Sequence, residues 1–228
     1  MKPSLVVLTG AGISAESGLK TFRDSDGLWE GYDVQEVASP QGWQRNPQLV
    51  LDFYNIRRRD IRAALPNAAH IGLAKLQDKF DVDIVTQNID DLHERAGSEK
   101  VLHLHGEILK MRSVRNKTRS YPIEGDIMLG DKADDGGQLR PDIVWFGEDV
   151  PKIHTAATIV RSADIVVVIG TSLVVYPAAG LLDVVAPHVP IFVIDRKLPP
   201  VAPRPKLHMI EKPATLGIID LQEALEKL

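Results

Sequence analysis

Val6-Val7-Leu8-Thr9-Gly10-Ala11-Gly12-Ile13-Ser14, running on into Ala15-Glu16-Ser17-Gly18, is the stretch whose reading decides the fold. Leu5 to Leu8 is an apolar run of the length and β-branched character of a buried strand. It ends at a glycine pair, after which small residues of helical character begin. Glycines at such a turn let the backbone come close to a ligand, and a helix start offers unpaired N–H groups to a phosphate. The spacing is not the G-x-G-x-x-G of ordinary dinucleotide loops, because position 15 is alanine and the next glycine is Gly18.

Working outward, three more runs read as buried parallel strands: Val82–Thr86, Ile165–Ile169 and Ile191–Ile194. Helical patterns lie between and after them. Pro47 to Leu65 carries Leu49, Val50, Phe53, Ile56 and Ile61 on its apolar positions, and Pro66 stops it. Asn67 to Phe80, Pro177 to Val185 and Thr215 to Leu228 are the others. This alternation predicts an α/β fold with a doubly wound, parallel, Rossmann-like sheet, whose ligand sits beyond the carboxyl ends of the strands. Gly10, Gln87, Gly170 and Asp195 each follow a strand, so four segments converge on one crevice.

The region from 109 to 140 is different, rich in charge, with Gly136-Gly137 and few large apolar groups, and reads as a small inserted domain. The expected division is a large domain at 1–27, 66–106 and 142–228, and a small one at 28–65 and 107–141, in a single catalytic unit.

Composition narrows the function. With 228 residues, 44% hydrophobic and 25% charged, the chain is ordinary for a globular protein. A net charge of -4 gives no reason to expect nucleic acid, and no apolar run is long enough for a membrane span. Zero cysteines exclude disulfides, thiolate metal ligands and a cysteine nucleophile. With the N-terminus entering the glycine turn at once, no signal peptide is expected and the address is cytoplasmic.

Chemistry-bearing residues gather after the strands. Gln87-Asn88-Ile89-Asp90-Asp91 offers amides that both donate and accept, although Asn88 or Asp90 equally suits a helix N-cap. In His103-Leu104-His105-Gly106 both histidines fall on one side of a strand, one of them open to a plain core role, and the glycine after His105 leaves its ring at a rim. Gly170-Thr171-Ser172 closes another strand with a small hydroxyl-bearing turn.

TGAGISAESG, Thr21-Phe22-Arg23, Gln87-Asn88-Ile89-Asp90, His105-Gly106, Val144-Trp145-Phe146-Gly147-Glu148, Gly170-Thr171-Ser172 and Tyr176-Pro177-Ala178-Ala179 occur in the order and approximate spacing of sirtuins. The chain thus resembles a sirtuin, an NAD-dependent protein-lysine deacylase, over roughly residues 5 to 195. The resemblance implies that Gly10, Ala11, Gly12 and Ser14 hold the pyrophosphate of NAD, with Phe22 and Arg23 on a covering loop. Asn88 and Asp90 would line the nicotinamide pocket and Gln87 the nicotinamide ribose. Gly170, Thr171 and Ser172 would meet the phosphate or adenosine side. His105 would be the general base, with Asn88 and Asp90 beside it in the catalytic set, and the products free lysine, nicotinamide and O-acyl-ADP-ribose. Val144, Phe146 and Gly147, with Leu173 to Tyr176, would form the two edges that sandwich an acyl-lysine peptide. Oligomeric state is left open, a monomer being favoured.

Three details qualify the resemblance. Sirtuins typically carry two C-x-x-C pairs for structural zinc, whereas the corresponding stretch here reads Arg112-Ser113-Val114-Arg115-Asn116, so no metal is expected. Packing of Met111, Tyr121, Ile123, Met128 and Leu129 is expected to take its place. Where sirtuins commonly have asparagine, this chain has Asp195, which would accept from a ribose hydroxyl and repel a 2′-phosphate. Tyr54 and Arg57 share one helix face and resemble the branch that removes succinyl, malonyl and glutaryl groups, since a guanidinium pairs a carboxylate bidentately. Outside the resemblance, Arg57-Arg58-Arg59 reads as a solvated face, and Arg58 and Arg59 are expected to matter little. The competing readings are an NAD glycohydrolase or ADP-ribosyltransferase on the same fold, which needs neither Val144–Gly147 nor Tyr54 and Arg57, and a non-catalytic NAD or ADP-ribose sensor, which needs no base.

Overall fold

A computed structural model describes residues 2–20, 28–29 and 31–227. Phe22 and Arg23 lie outside the described residues. Six strands form one parallel sheet in the order Leu207–Glu211, Ile191–Asp195, Ile165–Ile169, Ser4–Thr9, Asp81–Thr86, Val101–His103. In sequence numbering this is 3-2-1-4-5-6 read from the far edge, the doubly wound order in which direction reverses between the first strand and the fourth. Leu5 stands beside Val82 on one side and Ile165 on the other, so the first strand is central.

The strands are β-branched because both faces are covered. Leu5, Val7, Ile84 and Val167 pack with the helices Ala68–Leu76 and Ala214–Leu225. Val6, Leu8, Val166 and Val168 face the opposite layer, which contains the helix Ile153–Arg161 and the 3-10 segment Ala178–Val184. Among the described residues no helix is long and apolar enough to cross a membrane.

Four expected strands are present, and two more join at the edges. Val101–His103 is three residues long and stops before His105, which lies in the turn beyond it and not on one strand with His103 as expected, and Leu207–Glu211 is an edge strand with three exposed positions. The segment after Gly10 is not a regular helix but two 3-10 turns, Ala11–Ile13 and Ala15–Ser17. Pro177 to Val185 is likewise 3-10, and the terminal helix runs Ala214–Leu225.

A second sheet, antiparallel, joins Gly106–Ser113 to Ser120–Pro122 and Leu139–Ile143. Its interior is Leu51, Ile127 and Leu139, with Trp43, Met111, Tyr121 and Ile123 against them. Met128 and Leu129 do not contribute as expected: they are 54% and 53% exposed, because Ile127 takes the inward place in that turn.

The helix Pro47–Ala63 overturns a simple apolar-face reading. Ile56 is 43% exposed, while Asn55, Arg57 and Arg58 are buried. Arg58 is not on a solvated face: Nε donates to Ile108 O at 2.9 Å, and Nη1 to Asn55 Oδ1 at 2.8 Å and Gly125 O at 3.2 Å. Burial lowers its pKa to about 10, which still leaves it charged at neutral pH. Asn55 in turn exchanges hydrogen bonds with the backbone of Ile127, so this pair fastens the small sheet to the helix. Arg58→Met is therefore expected to destabilise the fold by about 3 kcal/mol, near 10 °C in Tm, because buried carbonyls lose their donor. An unchanged melting curve would refute the clamp. Arg59 does lie outside, paired with Asp126 at 2.6 Å, where an ion pair contributes little.

Candidate functional site

The first and fourth strands end side by side at the point where the sheet changes direction. Gly12 N donates to Gly170 O at 2.8 Å and Gly10 N to Ile169 O at 3.1 Å. A Cβ on Gly12 would lie 2.6 Å from Gly170 Cα, and Gly170 itself has φ +65°. These glycines are thus required first for the close approach of two strand ends, which brings their backbones to one crevice. Gln87 Nε2 donates to Thr171 Oγ1 at 3.1 Å, tying in the second strand.

The crevice has a volume of about 930 Å³, within the range of small-molecule sites. Gly10, Ala11, Gly12 and Ser14 form its rim at the first strand, and Gly170, Thr171 and Ser172 the rim at the fourth. Asp195, the last residue of its strand, lies at the far end. Gln87, Asn88, Asp90 and His105 line the middle, and Tyr54, Arg57, Val144, Phe146 and Gly147 the other end. A cleft with backbone turns, amides and a carboxylate at successive strand ends suits a dinucleotide. The described residues expected to hold NAD, do the chemistry or meet the acyl group all line this one cavity, whereas His103 and Leu173 do not.

Beneath the middle lies a polar network. Asn88 Nδ2 donates to Ser14 Oγ at 3.1 Å, and Ser14 Oγ donates to Asp90 Oδ2 at 3.1 Å. Asp90 also takes the Leu92 N–H at 3.2 Å, a local bond two residues on, but the N-cap of the helix Leu92–Arg95 is Asp91, so neither Asn88 nor Asp90 caps it as the sequence had allowed. Burial pushes the Asp90 carboxyl up, and the Leu92 and Ser14 hydrogen bonds pull it back. His70, which sequence reasoning passed over, lies 3.4 Å from Ser14 Oγ through Nε2 while its Nδ1 accepts from Asn67 N at 3.3 Å. That acceptor role puts the proton on Nε2 and makes His70 a donor to Ser14. Burial lowers its pKa to about 4, so it is neutral. The available signal was the Asn67-x-x-His70 capping-box spacing. His93, stacked edge-on at 4.9 Å from His70, bonds Thr9 Oγ1 at 3.0 Å and is also held neutral by burial.

The two histidines of the His-x-His stretch separate in role. His103 is buried at the strand end beside Glu94. His105 reaches Gln87 O with Nδ1 at 3.0 Å. A carbonyl only accepts, so Nδ1 carries the proton and Nε2 keeps a lone pair. Burial lowers the His105 pKa, with the Gln87 bond opposing, so the ring is neutral at pH 7. A neutral imidazole with a fixed tautomer at the wall of a cleft is equipped to take a proton.

At the other end Tyr54 and Arg57 are both buried, with the guanidinium 5.6 Å from the centre of the Trp29 ring. Burial raises the Tyr54 pKa, with Arg140 opposing, and the phenol stays protonated as a donor. The Val144–Glu148 edge is built firmly. Val144 N donates to His105 O and Phe146 N to Ala38 O, each at 2.9 Å. Glu148 takes both terminal nitrogens of Arg140 at 3.0 Å and the Trp145 N–H at 3.0 Å, while Arg140 stacks 3.2 Å from the Trp145 ring centre. The Glu148 carboxyl, though opposed by burial, is held at about 2 by Arg140, and stays charged. Across the cleft Val174 and Tyr176 are 65% and 73% exposed.

Where the resemblance places zinc, the donor set does not suit the metal. Ser113 Oγ donates to Asp135 Oδ1 at 2.7 Å, the same oxygen takes Gly137 N at 2.8 Å, and Arg115 Nη1 donates to Asp135 O at 2.8 Å. Asp134 pairs with Arg119 at 3.0 Å. Among the described residues no group of three His, Cys, Asp or Glu side chains is arranged to hold a metal ion. The protein is expected to carry no stoichiometric zinc and to melt at the same temperature with and without EDTA. About one zinc per chain by elemental analysis, with unfolding on chelation, would overturn this.

A family model described as Sir2 family matches residues 10–177. A Helicobacter pylori (strain ATCC 700392 / 26695) protein named NAD-dependent protein deacylase is 58% identical over 194 residues, covering 85% of each chain. One of the same name from Bacteroides thetaiotaomicron is 50% identical over 228 residues, covering 97% of each. A crystal structure of a Sir2 homolog–NAD complex superposes with a TM-score of 0.88 at 38% identity, covering 99% of this chain and 90% of that one.

Proposed function

The chain belongs to the Sir2 family, and from that premise we propose that it removes acyl groups from protein lysines with NAD as co-substrate, giving nicotinamide and O-acyl-ADP-ribose. The observation that carries the reading is His105: a neutral base with its proton fixed on Nδ1 opens into the cleft that also holds the glycine turns and the buried Tyr54–Arg57 pair. When bound, NAD supplies an electrophilic ribose carbon and nicotinamide as leaving group. The remaining chemistry belongs to the protein. Asn88 and Asp90, locked by Ser14, hold their amide and carboxylate rigid for the nicotinamide end. Gly10, Ala11, Gly12, Gly170, Thr171 and Ser172 hold the phosphates and the adenosine side, and Asp195 a ribose hydroxyl. His105 Nε2 takes up the proton of a ribose hydroxyl, and the imidazolium so formed gives it up again before the next turnover. Removing Nδ1–H is resisted by Gln87 O, so the base acts at one nitrogen only.

The acyl group enters between Val144–Gly147 and the opposite edge, and its end reaches Tyr54 and Arg57. A guanidinium and a phenol O–H together match a terminal carboxylate, which supports acidic acyl groups such as succinyl and malonyl as preferred substrates, with acetyl also accepted. Peptide recognition through backbone pairing makes sequence preference loose. The absence of cysteine accords with a reducing, cytoplasmic setting. Incubating the protein with NAD, with and without an acyl-lysine peptide, tests the reading. Nicotinamide released only with peptide supports it, release without peptide points to a glycohydrolase, and no release points to a sensor.

A further inference from the structure

We infer that His103 and Glu94 form a charged pair that positions the Gln87–Asp90 loop, making His103 a positioning residue for the reaction. The inference rests on the deacylase reading. His103 ends the edge strand Val101–His103 and is buried; its Nδ1 is 3.0 Å from Asn88 O and its Nε2 2.7 Å from Glu94 Oε1. Both partners are acceptors. A carbonyl and a carboxylate on the two ring nitrogens are satisfied together only when both nitrogens carry hydrogen, which is the imidazolium.

His103 and His105 therefore hold consecutive carbonyls, Asn88 O and Gln87 O, from one side of the loop. On the other side Asn88 Nδ2 is held by Ser14, which also holds Asp90. A continuous chain runs Glu94–His103–Asn88–Ser14–Asp90, and its outer end, Glu94, is 41% exposed. The groups facing His103 are Glu94 and His93 from the short helix, Glu107 from the following strand, and Asp90, whose buried carboxylate the positive ring favours. Lys110 in turn faces Glu94. His70, His93 and His105 have no carboxylate bonded to the ring and are held below the ordinary histidine pKa by burial. At His103 burial acts the same way, but the Glu94 hydrogen bond and charge outweigh it, and the pKa is raised.

The signs follow. His105 must be neutral, so activity is lost as pH falls below the ordinary histidine range. The His103 pair needs the charged ring, so its contribution is full below the ordinary histidine pKa and lost as pH rises through the raised one. kcat/KM against pH is expected to be bell-shaped, with the alkaline limb belonging to His103.

Glu94→Gln, at a half-exposed position, is the decisive variant. It is expected to move the alkaline limb to lower pH by about one unit or more while the acid limb stays. His103→Ala is expected to lower kcat/KM roughly 10- to 100-fold by loosening the loop. His103→Asn, which keeps a donor near the Nδ1 place, is expected to recover most of that loss at neutral pH. NMR titration of the His103 ring in wild type and Glu94→Gln reads the same shift without turnover. Active enzymes with superimposable pH profiles, or a His103 ring titrating alike in both, would overturn the inference. A wild type that shows the ring shift but no peptide-dependent nicotinamide release would instead overturn the deacylase reading.

Discussion

His105→Ala is expected to lower deacylation at least about 100-fold while leaving a folded protein that still binds NAD. General-base catalysis is typically worth roughly 10² to 10⁴ in rate, and nothing else at this place can take its role. His70 and His93, held neutral by burial, are engaged with Ser14 and Thr9, and His103 has both ring nitrogens committed. Among the described histidines, His105 alone lines the cleft. The fold should tolerate the change, because the ring makes one hydrogen bond, to Gln87 O, at a half-buried rim. The measurement is turnover of an acyl peptide alongside a melting curve and an NAD titration. More than about a tenth of wild-type turnover in a folded mutant would refute the base assignment.

Arg57→Met is expected to collapse activity on succinyl- and malonyl-lysine while sparing or raising activity on acetyl-lysine. Arg57 and Tyr54 are one turn apart on the helix Pro47–Ala63, both buried and both in the cleft wall. A terminal carboxylate leaving water needs a counter-charge, and a planar guanidinium supplies it in two parallel hydrogen bonds. An acetyl group offers that guanidinium no acceptor. Wild type is therefore expected to favour the acidic acyl groups in kcat/KM by roughly 10- to 100-fold, the penalty for a polar wall facing a substrate that cannot match it. Methionine makes the channel end apolar and leaves His105 and the glycine turns untouched. Tyr54→Phe moves the preference the same way but less, since it removes one neutral donor. Equal loss on both substrate types in Arg57→Met would mean that the residue supports the fold or the cofactor instead.

Much of this protein is legible in its sequence because the signals are local. The four β-branched runs each specify a strand buried on both faces, and a strand buried that way has nowhere to go but a covered parallel sheet. Glycine where Gly10, Gly12 and Gly170 stand is a demand of the backbone, written residue by residue. The order of strand-end motifs places Asn88, Asp90 and His105 at one crevice, since every parallel strand ends on the same side. The absence of cysteine settles the thiolate question outright.

What the tertiary structure decided are matters of partnership. Arg57, Arg58 and Arg59 are three identical letters in a row, yet one lines the cleft, one is a buried clamp and one is a surface ion pair. Only the small sheet arriving at the helix, with the carbonyls of Ile108 and Gly125, makes the middle one structural. Met128 and Leu129 are as apolar as Ile127, and the turn geometry alone chose which was buried. His103 and His105 differ because Glu94 stands beside one of them, a placement set by how the short helix Leu92–Arg95 packs. Periodicity tells which side of an element a residue takes. What waits there, whether an acceptor, a charge or open water, is fixed by segments far away in the chain, and that environment sets whether the side chain holds the fold or does chemistry.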